Sequence, residues 1–68
     1  MAIETTYLTE ESRVYQYPGH TIQVVKPRSI RVSDSGNHYI QDEVGNLLIA
    51  APGWLWIEID DNGKGWTV

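Results

Sequence analysis

Closely spaced turn signals, a surplus of β-branched side chains between them and the lack of any helical apolar period predict an all-β chain. Pro18-Gly19, Ser35-Gly36-Asn37, Gly45-Asn46, Pro52-Gly53 and Asn62-Gly63 divide the sequence at short intervals. Valine, isoleucine and threonine supply 18 of 68 residues, and such side chains suit a pleated surface and are stiff in a helix. No window of helical length repeats its apolar residues every 3.6 positions. A chain this short holds one hydrophobic core, so residues 1–68 are read as a single domain. About five to six short strands must curl to cover their own core, which predicts a small antiparallel barrel or strongly bent sheet of SH3-like type.

Taken in order, the first segment offers the only helical turn, Thr9-Glu10-Glu11-Ser12, with Thr9 as its cap. A short strand follows in which Val14 lies opposite Tyr15 and Tyr17. In the next, Ile22 and Val24 alternate with Thr21, Gln23 and Val25. Parity decides the turn after that. A two-residue loop at Ser35-Gly36 would turn Ile40 away from Ile30 and Val32, whereas an odd loop with Gly36 in a left-handed bulge keeps the three together. A two-residue loop at Gly45-Asn46 pairs Val44 with Leu47 and Asp42 with Ile49. It puts Ile40, Val44, Leu47, Ile49 and Ala51 on a core face, with Asp42 an awkward member. Asn62-Gly63 tolerates the positive φ of a type I′ turn and pairs Asp61 with Lys64, Ile59 with Trp66 and Ile57 with Val68.

That last register sorts the three tryptophans. Leu55, Ile57, Ile59, Trp66 and Val68 share one face, while Trp54, Trp56, Glu58 and Asp60 take the other. Two outward indoles suit an interface, and they equally suit a thin core over which the N-terminal segment wraps. Both readings stay open at this point.

Composition removes several chemistries. Without cysteine there is no disulfide framework, no thiolate nucleophile and no cysteine-ligated metal. A net charge of −4 disfavours a general grip on nucleic acid or an anionic membrane. Met1-Ala2-Ile3-Glu4 has no basic start and opens no apolar run, and no stretch reaches bilayer length, so the cytoplasm is the expected compartment. His38 stands near Ser33, Asp34 and Ser35, but one turn on a small barrel makes no water-poor cleft. It is read with His20 as non-catalytic, His38 as a solvent-facing loop residue, and no enzyme activity is expected. Glu58-x-Asp60-x-Asn62-Gly63 resembles the opening of a calcium loop only superficially, since the closing acid would fall beyond Val68. No metal or cofactor is expected.

Two binding classes remain. The first is a non-catalytic interaction module, a homodimer or the holder of a protein partner. Its contact surface contains Trp54, Trp56, Tyr39 and Leu48, with Arg31 and Gln41 at the rim; aromatic residues and arginine most often carry binding energy. The acidic run of Glu58, Asp60 and Asp61 suits a basic partner surface. The alternative is a nucleic-acid-binding barrel that uses Lys26, Arg28, Arg31 and Tyr39. Against it, Arg28 and Arg31 are equally suited to pairing with outer-face acids such as Glu43.

Overall fold

The computed structural model describes residues 5–68. The opening residues 1–4, on which the expectation of no export signal rests, lie outside that range. Among the described residues there is no helix, hence none long and apolar enough to cross a membrane. These residues form eight short strands in two four-stranded antiparallel sheets: β1 (Thr6–Tyr7), β2 (Ser12–Tyr17), β3 (His20–Val25), β4 (Pro27–Val32), β5 (His38–Asp42), β6 (Leu47–Ala50), β7 (Trp56–Asp61) and β8 (Lys64–Thr67). The first sheet runs β1-β4-β5-β6 and the second β3-β2-β7-β8.

One long bent hairpin links the two sheets. The pairing of β2 with β3 (Ser12 opposite Val25) continues through Lys26 N–H to Glu11 C=O, 2.8 Å, and Leu8 N–H to Arg28 C=O, 2.8 Å, into the pairing of β1 with β4. At the bend Lys26 takes a φ of 52° and the β4–β5 register slips between Pro27 and Ser29, a bulge that turns the ladder through the corner. The bend was expected. Closure was not achieved: the sheets do not join into a barrel, because β6 and β8 end them without meeting. The helical turn expected at Thr9–Ser12 does not form either. Glu11 instead hydrogen-bonds across to Lys26, between β3 and β4, and to Asp60 of β7 at this corner.

The inward faces meet in a core of Tyr15, Tyr17, Val24, Ile30, Ile40, Ala50, Ile57 and Ile59, with Leu8, Ile22, Leu48 and Trp54 packed against it. Asn62 and Gly63 both have positive φ, and the last hairpin pairs Ile59 with Trp66 and Asp61 with Lys64 as the turn chemistry predicts. Face, however, is not burial. β8 is an edge strand beyond the cover of the opposing sheet, so Trp66 is 47% exposed, and Leu55 and Val68 are exposed as well.

The two middle hairpins use the same type of loop. Ser33 N–H bonds Asn37 C=O and Gly36 N–H returns to Ser33 C=O. Asp42 N–H bonds Asn46 C=O and Gly45 N–H returns to Asp42 C=O. Each loop is three residues long and ends in a glycine with a φ of 90°, the left-handed bulge position. The odd loop at Gly36 is as expected, with Ile30 opposite Ile40. The two-residue loop at Gly45-Asn46 is not. The Asp42 carboxylate accepts from the backbone of Val44 (3.0 Å) and Asn46 (2.9 Å) and from the Asn46 side chain (3.2 Å), which holds the wider loop. Tyr39 therefore faces Ile49 and Ile40 faces Leu48. An odd shift in register reverses every side chain of β6. Leu48 and Ala50 turn inward, while Val44, Leu47, Ile49 and Ala51 are exposed rather than in the core. Asp42 stops being an awkward core residue and becomes the loop's organiser.

Candidate contact surface

Three places on the described residues concentrate chemistry: a polar relay inside the core, an acidic groove on the second sheet and an apolar face on the first.

The relay begins at Glu10, which grips Arg13 through two hydrogen bonds, Arg13 Nε to Oε1 at 2.9 Å and Nη2 to Oε2 at 2.7 Å. Both residues are buried, and the bidentate geometry is the one that favours arginine in such a place. Arg13 Nη1 donates to the Tyr15 hydroxyl at 3.2 Å. That hydroxyl lies 2.6 Å from His38 Nδ1. Since the hydroxyl accepts from Arg13 and has one proton to give, the contact is best satisfied by the His38 tautomer with Nδ1 unprotonated and the ring proton on Nε2. Burial raises the Tyr15 phenol above its usual value, so the hydroxyl keeps its proton. Trp54 closes the cluster, edge-on to Tyr15 at 6.4 Å and to His38 at 6.3 Å. His38 is thus a half-buried strand residue, not a loop residue open to solvent. No serine, threonine or acid hydrogen-bonds to its ring among the described residues.

Burial and the nearby Arg13 charge both lower the His38 pKa below its ordinary value of about 6.5. The unfolded chain consequently binds this proton more readily than the folded one. Stability that His38 contributes is fully present above about pH 6.5 and is lost as pH falls through the lowered folded value. Thermal unfolding followed from pH 7.5 to 5 should show this loss in the wild type, and His38→Gln should flatten that part of the profile. Identical pH slopes for the two proteins would contradict the assignment.

The groove, of about 300 Å³, is lined by Ser12, Val14, Glu58, Asp60, Gly65, Trp66 and Thr67. Glu58 accepts from the Trp56 indole N–H at 3.0 Å, and both stand on the outer face of β7. The outward position of Trp56 is as the register predicts.

The face on the first sheet is built from alternate residues of its four strands. Register places Arg31, Tyr39 and Ile49 in one row and Tyr7, Ser29, Gln41 and Leu47 in the next. Tyr7 is 82%, Leu47 55% and Ile49 53% exposed. Arg31 stands over the Tyr39 ring, 5.8 Å from its centre, and is the only charge in these two rows.

The expected contact set is therefore divided. Tyr39, Arg31 and Gln41 do share an outer face. Leu48 and Trp54 turn into the core instead, Leu48 through the wider loop and Trp54 because the connection between β6 and β7 folds inward over Tyr15 and His38. Trp56 is outward on the other sheet. The tryptophans thus satisfy one reading each: Trp54 in the thin core, Trp56 exposed. The N-terminal strand pairs with β4 and does not cover Trp56.

Leu47 and Ile49, missed as surface residues, carried a legible signal. Gly36-Asn37 and Gly45-Asn46 are the same pair, each preceded three residues before the glycine by a side chain that caps the loop, Ser33 or Asp42. Of the alternative nucleic-acid set, Lys26 and Arg28 each approach Glu43 at 3.9 Å, while Arg31 stacks on Tyr39 and pairs with no acid among the described residues.

No protein family, no characterised protein and no solved structure matches this chain.

Proposed function

We propose that the protein is a non-catalytic interaction module that self-associates through the outer face of its first sheet. The observation that carries this reading is the pair of rows in which Tyr7, Leu47 and Ile49 stand exposed around a half-buried Tyr39 and a single stacked arginine. Leaving such a face in water forgoes the stabilisation, about 25 cal/mol per Å², that covering its apolar area would bring. Aromatic, large aliphatic and arginine side chains with few other charges make the composition of an interface centre. Support for the nucleic-acid alternative is reduced by Glu43, which occupies two of its three cations.

Sedimentation equilibrium over a wide protein concentration range tests the proposal. A monomer–dimer equilibrium is expected that changes little between low and high salt. Tyr39→Ser combined with Leu47→Ser should weaken it by about tenfold or more, as loss of central contacts usually does. A protein that stays monomeric throughout, or whose association disappears in salt, would remove this reading.

A further inference from the structure

The outer face alone does not say how two copies meet, but the edge of β6 does. Asp42 N–H bonds Asn46 C=O, with the return bond to Asp42 C=O made by Gly45 in the bulge, so this is a hydrogen-bonded position of the ladder, and the alternation of an antiparallel pair assigns the same role to Ile40 with Leu48 and His38 with Ala50. The backbone groups of Leu47 and Ile49 therefore point off the open edge. The next outward groups on either side are already engaged. Gly45 N–H bonds Asp42 C=O at 3.1 Å, and Ala51 C=O accepts from the Tyr17 hydroxyl at 2.6 Å. An isolated, two-residue stretch of open ladder remains.

The other edges differ. β1 has two residues. β8 runs beside the acids of β7, Glu58, Asp60 and Asp61, which would repel a second copy of a chain whose net charge is −4. The β5–β6 hairpin flanks β3 across a groove lined by Gln23, Val24, Val25, Asp42, Asn46, Leu47 and Leu48. β6, Leu-Leu-Ile-Ala, like β3 lacks the charge, proline or bulge that ordinarily protects an edge, but unlike β3 it carries Leu47 and Ile49 of the contact face.

Building on the self-association above, we infer that β6 pairs antiparallel with β6 of a second copy about a two-fold axis at Leu48. Leu47 of each copy faces Ile49 of the other. Of the antiparallel registers, this one joins all the open groups of Leu47 and Ile49 and calls on neither Gly45 N–H nor Ala51 C=O. Shifting the axis to Leu47 or to Ile49 requires one of those engaged groups. Charge agrees with the arrangement: the Asp42–Glu43 loop of one copy comes alongside the uncharged Ala51–Gly53 connection of the other. On the outer face the row Arg31–Tyr39–Ile49 continues directly into Leu47 and Gln41 of the second copy, so edge and face form one interface.

The chain has no cysteine, so introduced thiols report the register without background. At the axis the two copies of residue 48 form a pair without ladder bonds, about 4.5 Å between Cα atoms, which is within disulfide reach. Leu48→Cys should oxidise to a covalent dimer at least about tenfold faster than Thr67→Cys on β8, because pairing raises the local thiol concentration. Leu48 also packs against the core, so a second arm uses exposed positions: an equimolar mixture of Leu47→Cys and Ile49→Cys should cross-link faster than either variant alone. If the wild type sediments as a dimer while neither arm exceeds the Thr67→Cys rate, the edge pairing is wrong and the contact face stands. A wild type that is monomeric throughout overturns both.

Discussion

Glu10→Ala is expected to destabilise the protein by about 3–5 kcal/mol, the cost of breaking a buried ion pair from one side. The substitution leaves the Arg13 guanidinium buried, with the Tyr15 hydroxyl as its remaining side-chain partner. A chain of this length has a total stability of roughly 3–10 kcal/mol at the usual value per residue, so most of the folded population is at risk. The charge, not the space it fills, is the source of the loss. Glu10→Leu with Arg13→Met removes both charges and keeps apolar volume, and should recover most of the stability. Urea unfolding followed by circular dichroism measures all three proteins. A loss below about 1 kcal/mol for Glu10→Ala would show that water reaches the pair and that the relay into the core contributes little.

Ile40→Ala and Ile49→Ala, on neighbouring strands of one sheet, should differ by several kcal/mol. Ile40 is fully buried between Ile30 and Leu48, and its truncation opens a cavity that the surrounding strands cannot collapse into. The expected cost is about 2–5 kcal/mol. Ile49 is exposed in the monomer, where its truncation should change stability by no more than about 0.5 kcal/mol. The comparison also discriminates between the two registers for the Gly45-Asn46 loop. A two-residue loop would place both isoleucines in the core and make both substitutions costly. Comparable losses at 40 and 49, measured below the concentration of dimer formation, would refute the wider loop.

Much of the fold was legible because turns are local chemistry. Asn62-Gly63 set the last hairpin to the residue, and parity at Gly36 correctly joined Ile30 to Ile40. The Asp42 loop was legible too, but only by comparison with its twin at Ser33, since Gly-Asn by itself suits both a two-residue and a three-residue loop. One misplaced loop moved Leu47, Ile49 and Leu48 to the wrong faces, because a strand has only two. The candidate surface was half legible for that reason: Tyr39 and Arg31 follow from the β4–β5 register, whereas Leu47 and Ile49 depend on the loop. The relay was not legible although Glu10, Arg13 and Tyr15 are close in sequence, since only the stacking of the sheets buries them and brings in His38, 23 positions from Tyr15.

By itself the sequence determined an all-β chain, its turn positions, the alternation along each strand and the pairing at Asn62-Gly63. Each depends on the allowed φ of one or two residues or on the two-residue period of an extended backbone. The tertiary structure alone decided which faces are covered. Trp66 lies on the core side of its strand yet is exposed, because β8 lies past the opposing sheet. Trp54 is drawn inward because a connection, which obeys no alternation, folds over Tyr15 and His38. Burial depends on what stands opposite a side chain, and a corner made by Lys26 and the Pro27 bulge sets that opposition across the whole molecule.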